Sequence, residues 1–270
     1  MTSTFSPISP LKPRPSLQWR DRLRAGGVHL LLSLGVAALA GLLVFGLWYP
    51  YPYREISGGR ELFWLVVSVD VVMGPLITLA VYSRAKPWAV MRRDFIVIVL
   101  LQIAALGYGL HTVFVARPVH LVFEYRRFTV VHALDVPQQQ IHSVPAPLVA
   151  MPLFGPTLLS LRAFKDDNEK IDMTMADLAG VSLAARPELW QPFATARAEV
   201  LAAAKPATQL RARFATQMAE VAQIDAAVKG SGRNIDQLLY ASMIGRKTFW
   251  TVLIDPQTAE PLAYLPLDSF

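Results

Sequence analysis

The chain of 270 residues contains no cysteine. A structural disulfide, a lipoprotein anchor on cysteine and a thiol nucleophile are therefore all excluded. It is also short of charge, with 17% Asp, Glu, Lys and Arg where an ordinary soluble domain carries roughly 25%. The 53% hydrophobic content and mean hydropathy of +0.36 rule out a disordered chain and argue against a purely soluble enzyme. Catalytic and metal-binding patterns are missing as well. There is no G-x-S-x-G and no local Ser/His/Asp grouping, and the five histidines (29, 111, 120, 132 and 142) lack any metal spacing such as H-E-x-x-H. Ser57-Gly58-Gly59-Arg60 lacks the Lys-Ser/Thr of a phosphate loop, and Asp166-Asp167-Asn168-Glu169 lacks the alternating ligands and glycine of a calcium loop. No internal repeat is present. No enzyme activity, metal or cofactor is expected.

The net charge of +6 would suit a nucleic-acid binder if it were spread over one surface, but it is not. Residues 1–116 carry 11 basic and 5 acidic side chains, whereas 117–270 carry 15 of each. The whole excess thus lies in the segment that also holds the long apolar runs, and no nucleic-acid partner is expected.

Three such runs stand out. Val28 to Tyr49 is 22 consecutive residues without Lys, Arg, Asp or Glu, about 33 Å of helix at ~1.5 Å per residue, enough for a hydrocarbon core of ~30 Å. Leu62–Tyr82 has one acid, Asp70, and Phe95–Ala116 has no charge beyond His111. Transmembrane helices are predicted over residues 28–49, 62–82 and 95–116, within a membrane region of residues 25–116. His29 stands at the edge of the first run, where its ring can reach headgroups. Trp48, Tyr49, Tyr51 and Tyr53 form an interface belt at the far end. A cleaved signal peptide is the competing reading of the first run, because Ala38-Leu39-Ala40 precedes Gly41. A cleavage site should follow the apolar core, however, and here Leu42-Leu43-Val44-Phe45 continues it.

The basic residues orient the spans. Lys12, Arg14, Arg20, Arg22 and Arg24 precede the first, and Arg84, Lys86, Arg92 and Arg93 join the second to the third, while the first loop is balanced by Glu55 and Glu61. The basic side is expected in the cytoplasm. Three spans then place residues 117–270 outside, as one domain. Residues 1–24, with Pro7, Pro10, Pro13 and Pro15, are expected to be a disordered cytoplasmic arm.

In the domain, Val119–Glu124 and Phe128–Val131 flank Tyr125-Arg126-Arg127 as a predicted hairpin. Val144–Pro156 holds four prolines and reads as irregular, followed by a strand over 157–162. Helices are predicted from Asp166 to Leu178, from Phe193 to Ala204 behind Pro192, and over Thr208–Lys229 on the spacing of Leu210, Phe214, Met218, Val221 and Ile224. A short helix around 234–240 and a closing hairpin, Lys247–Ile254 with Pro261–Leu267, complete the pattern. The fold class is a membrane protein with three transmembrane α-helices followed by an extracytoplasmic α+β domain.

Asp70 is the sharpest candidate functional residue. An ionisable group within a span costs at least ~2.5–3.5 kcal/mol on insertion scales. It lies ~12 Å along the helix from Leu62. Three roles are open: bonding the spans together through Ser68, Thr78, Gln102 or Tyr108; contact with a partner helix; or proton transport, for which a single acid makes a poor pathway. Gly74-Pro75 frees the carbonyl of Val71 and kinks the helix beside Asp70. Small residues at Ser33, Ala37 and Gly41, and at Ala105 and Gly109, permit close helix approach.

Taken together, His29-Leu30-Leu31, Trp48-Tyr49-Pro50, Ser57-Gly58-Gly59-Arg60-Glu61-Leu62-Phe63 and Val69-Asp70-Val71-Val72-Met73-Gly74-Pro75-Leu76 resemble the type IV pilin accessory proteins of the TfpX/TfpZ kind. So do Leu101-Gln102, Tyr108-Gly109, Ala116-Arg117-Pro118, Phe123–Phe128, Gly245-Arg246-Lys247 with Trp250–Leu253, and Tyr264–Asp268. The resemblance covers nearly the whole chain after residue 25. It implies an inner-membrane protein that assists a cognate type IV pilin as a chaperone or modulator of its assembly or stability, with other pilus assembly components as further candidate partners. Asp70, Gly74 and Pro75 are then the candidate partner-binding residues. The alternative is a membrane sensor or signalling subunit whose outer domain binds a small ligand.

Overall fold

A computed structural model describes residues 15–84 and 86–270. Helix α1 runs over Pro15–Leu43 and continues through a π-helical turn, Val44–Trp48. Residues 15–24 of the arm expected to be disordered are therefore helical, and residues 1–14 lie outside the described residues. The reason is local. Proline is accepted in a first turn, where its missing N–H has no partner to lose, and Leu17 to Arg24 contains no further helix breaker.

A short helix α2 (Tyr53–Ile56) follows, then α3 (Gly59–Ser68), a π-helical turn at Val69–Met73, and α4 (Gly74–Val81). Helix α5 spans Trp88–Val115 and starts before the predicted Phe95, because the Pro87 carbonyl already accepts from Val90 and Met91. Three helical stretches, Trp19–Trp48, Gly59–Val81 and Trp88–Val115, are long and apolar enough to cross a membrane.

The chain divides into two compact units. One contains the described residues up to Ala40 with Trp64–Leu110, and the other contains Gly41–Phe63 with His111–Phe270. In the second unit the Tyr49 hydroxyl donates to the Val113 carbonyl at 3.0 Å. Gly59 is packed so tightly on the Tyr49 ring that a Cβ would overlap it.

The second unit is built on a mixed sheet of eight strands. These are β1 (Pro118–Glu124), β2 (Arg127–His132), β3 (Thr157–Leu161), β4 (Trp190–Pro192), β5 (Lys205–Pro206), β6 (Leu239–Ile244), β7 (Phe249–Ile254) and β8 (Pro261–Leu265). Their order is β4-β3-β1-β2-β6-β7-β8, with β5 paired to β6. Both predicted hairpins form, β1 with β2 and β7 with β8. The turn after β7 is held by Asp255, whose carboxylate accepts from the backbone of Gln257 at 2.7 Å. Every residue of β1 is buried, so the sheet is covered on both faces at this central strand. Leu121, Phe123, Phe128, Val130 and Met243 pack into one core, and Val122, Val131, Ala184 and Trp190 into another.

Helix α6 (Asp167–Leu178) is capped as expected, with the Asp166 carboxylate accepting from Glu169 N at 2.8 Å. Glu169 in turn receives Arg162 at 2.7 and 2.9 Å, and that pairing holds its carboxyl down to about 2. Three expectations are corrected. Trp190–Pro192 is a strand, Phe193–Ala196 is a 3-10 turn, and α7 covers only Arg197–Ala203. The single helix over Thr208–Lys229 is two helices, α8 (Ala207–Arg213) and α9 (Met218–Gly230). The break brings Leu210, Phe214 and Ile224 into one core with Leu253 and Leu265, and leaves Met218 exposed. Finally, Asn234 and Gln237 do form a capping box, but only around a 3-10 turn at Ile235–Gln237, after which the chain becomes β6.

His120 joins β1, β3 and the loop between β2 and β3. Its Nδ1 lies 2.6 Å from Thr157 Oγ1 and its Nε2 lies 2.9 Å from the Ala150 carbonyl, with the ring edge-on to Trp190. Burial lowers its pKa from 6.5 to about 4, with the Ala150 hydrogen bond opposing. The unfolded state takes up the proton first as pH falls, so stability is full above about pH 6.5 and is lost progressively toward pH 4. At ~1.4 kcal/mol per pH unit the loss is about 3 kcal/mol. Thermal unfolding of the wild type should show this dependence between pH 6.5 and 4, and His120→Gln should flatten it. An unchanged slope in the variant would assign the acid sensitivity elsewhere.

Candidate functional site

The polar side chains of the first unit meet between α1, α4 and α5. His29 on α1 places Nδ1 2.5 Å from Thr78 Oγ1 on α4 and Nε2 2.8 Å from Gln102 Oε1 on α5. An imidazole with one N–H can satisfy both contacts, donating to the Gln102 carbonyl oxygen and accepting from the Thr78 hydroxyl. His29 is thus the node of an inter-helix network. The sequence placed it at a membrane edge, reaching headgroups.

Gln102 uses its other end on the second apolar stretch, where Nε2 donates to the backbone carbonyl of Asp70 at 3.3 Å. The π-helical turn accounts for this. Each carbonyl in such a turn accepts from the residue five positions on, which for Asp70 is Pro75, and proline has no N–H to give. The orphaned acceptor that Gln102 meets is therefore Asp70's, one residue from the position an unbroken α-helix predicts. Gln102 caps it.

Gly74 makes the arrangement possible. A Cβ there would overlap Gln102 Nε2 and lie 3.0 Å from His29 Nε2. Gly109 permits a similar approach, since a Cβ on it would overlap Val66.

Of the partners considered for Asp70, Gln102 holds its backbone and Thr78 is engaged by His29. The Asp70 carboxylate itself makes no hydrogen bond among the described residues. It borders two open clefts. One, of about 580 Å³, runs past Met73, Gly74 and Ile77 to Lys86, Arg93 and Asp94. The other, of about 690 Å³, passes His29, Ser33, Thr78 and Gln102 to Asp21, Arg24 and Arg84. Both are apolar along their length and charged at one end. Asp21 and Arg84 are paired there at 2.8 Å, and Lys86 and Asp94 at 2.9 Å. An unbonded carboxylate within an apolar groove is suited to receiving a donor from another apolar helix. Pro75 is buried at the start of α4 and sets the turn that positions Asp70.

Among the described residues no group of three or more His, Asp or Glu is placed to hold a metal ion.

The family model described as "Fimbrial assembly protein FimB" matches residues 17–58. A fimbrial assembly protein of serogroup I from Dichelobacter nodosus is 30% identical over 233 residues, which is 86% of this chain and 90% of the relative. That of serogroup E1 is 30% identical over 234 residues with the same coverage. That of serogroups C1 and C2 is 39% identical over 113 residues, 42% of this chain and 86% of the relative. No solved structure matches the chain.

Proposed function

Because the chain belongs to the fimbrial assembly proteins, the kind of pilus accessory factor it resembles in sequence, we propose that it works in pilus assembly as a non-enzymatic inner-membrane chaperone or stability modulator of a cognate type IV pilin. In this reading the three apolar helices cross the membrane with the basic residues on the cytoplasmic side, and the β-sheet domain lies in the periplasm. Asp70 forms the contact for a partner helix, and Gly74 and Pro75, both buried, act in it by shaping the turn that presents Asp70. The observation that carries the contact is the Asp70 carboxylate, unbonded among the described residues and open to two apolar clefts. A carboxylate serving only to join the helices would be bonded to one of them.

Deleting the gene, with wild-type complementation, and measuring total and surface pilin separately by immunoblot tests the role. Surface pilin should fall. A reduced total pool then means the pilin is protected from degradation, and an unchanged pool means it is delivered to the assembly machinery. If neither quantity changes while the pilin is expressed, the accessory role is wrong, and a sensor with a ligand-binding outer domain takes its place.

A further inference from the structure

Within the second unit, the loop between β2 and β3 is fastened to the ends of two apolar helices. Gly155 N–H donates to the Leu47 carbonyl, in the last turn of the first apolar stretch, at 2.7 Å. Arg117, just past the end of α5, donates from Nη1 to Phe114 O at 2.8 Å and from Nη2 to Pro152 O at 3.1 Å. Its guanidinium lies 3.8 Å from the centroid of the Phe114 ring, which also meets Trp48 at 5.0 Å. The loop is therefore held at the level where the first and third apolar helices end.

What it displays there is unlike the rest of the domain. From Asp135 to Arg162 the intervening chain has no Asp, Glu, Lys or Arg, although such residues are frequent on either side. Val149, Leu153 and Phe154 are 61%, 58% and 67% exposed and line one open cleft of about 970 Å³. The cleft also takes in Arg197 and Glu260 from outside the loop, but three large apolar side chains exposed together on a loop without charge of its own, tied to the ends of apolar helices, match the chemistry of an interfacial membrane element. A Trp at the same level fits the aromatic belt of such an interface.

We infer that this loop enters the periplasmic-side leaflet of the bilayer, with Val149, Leu153 and Phe154 among the upper acyl chains, roughly 5–10 Å into the headgroup boundary. The occupant of the patch is phospholipid. The loop thereby anchors the sheet domain to the membrane surface at a point separate from its covalent attachment to α5. The inference rests on the three apolar helices crossing the membrane, and the test separates the two.

Because the protein has no native cysteine, single probes can be placed cleanly. Leu153→Cys, Phe154→Cys, Met218→Cys and Leu101→Cys, in the full chain reconstituted into nanodiscs of phosphatidylethanolamine and phosphatidylglycerol, would each carry an environment-sensitive fluorophore. Met218 on α9 and Leu101 on α5 are both exposed and serve as aqueous and acyl-chain references. Probes at 153 and 154 should lose most of their emission to a shallow spin-labelled lipid and little to iodide, opposite to 218. If iodide quenches 153 and 154 as strongly as 218 while 101 responds only to lipid quenchers, the loop inference is overturned and the membrane reading stands. If 101 is itself quenched by iodide, the membrane reading fails and takes the loop inference with it. Iodide access at 153 and 154 that closes only on adding pilin would make the patch a protein-docking surface and would likewise overturn the inference.

Discussion

Gly74→Ala should destabilise the protein and lower surface pilin, although alanine is the better helix former by about 1 kcal/mol. The new Cβ falls on Gln102 Nε2. Gln102 is not a free surface chain that can swing aside, because it is held by His29 at 2.8 Å and by the Asp70 carbonyl at 3.3 Å. Moving it breaks both bonds and leaves an orphan carbonyl in apolar surroundings, a cost of about 1–3 kcal/mol, which exceeds the gain in propensity. The decisive measurement is a double-mutant cycle on thermal stability in detergent. In a Gln102→Ala background the obstructing amide is gone, and the same Gly74→Ala change should become neutral or stabilising. A coupling of about 0.5–3 kcal/mol and a reversal of sign are expected. Equal destabilisation in both backgrounds would mean that Gly74 is required for another reason.

The parts of this architecture that were legible in the sequence are those written in contiguous residues. Apolar runs mark the three long helices whatever they pack against, and alternation with a turn between marks β1–β2 and β7–β8. The helix at Asp167–Leu178 was legible because its cap lies next to it. The network was not, because His29, Thr78 and Gln102 lie on three helices whose relative rotation no local pattern encodes. Pro75 announced a lost hydrogen bond, but the choice of a π-helical turn over a simple kink decides which carbonyl is orphaned, and the side chain that meets that carbonyl, Gln102, lies on another helix. Strand β6 escaped because Asn234 and Gln237 signal a helix start that does occur and then stops after one 3-10 turn. Met218 misled in the same way. It continues the helical spacing from Leu210 and Phe214, yet it stands exposed at the first position of a new helix.

If the proposed contact holds, Asp70→Leu should raise the thermal stability of the isolated protein and abolish capture of the cognate pilin. The two opposite signs separate the roles left open for this residue. On the proposed reading, in which this helix crosses the membrane, leucine relieves the ~2.5–3.5 kcal/mol penalty of an intramembrane acid. It should not disturb the network, because Gln102 is bonded to the backbone carbonyl of residue 70 and not to its side chain. If the carboxylate instead joined the helices, its removal would destabilise by about 1–2 kcal/mol, and pilin capture would fall only in proportion to the folded protein remaining. Co-purification of pilin with each variant, normalised to folded protein and set beside its melting temperature, reads both quantities. Undiminished capture by the stabilised leucine variant would sink the partner-contact role. Asp70→Asn then identifies the partner's donor. Asparagine keeps an acceptor oxygen but no charge, so a neutral donor on the pilin helix should leave part of the capture intact, whereas a cationic one should lose it as fully as with leucine.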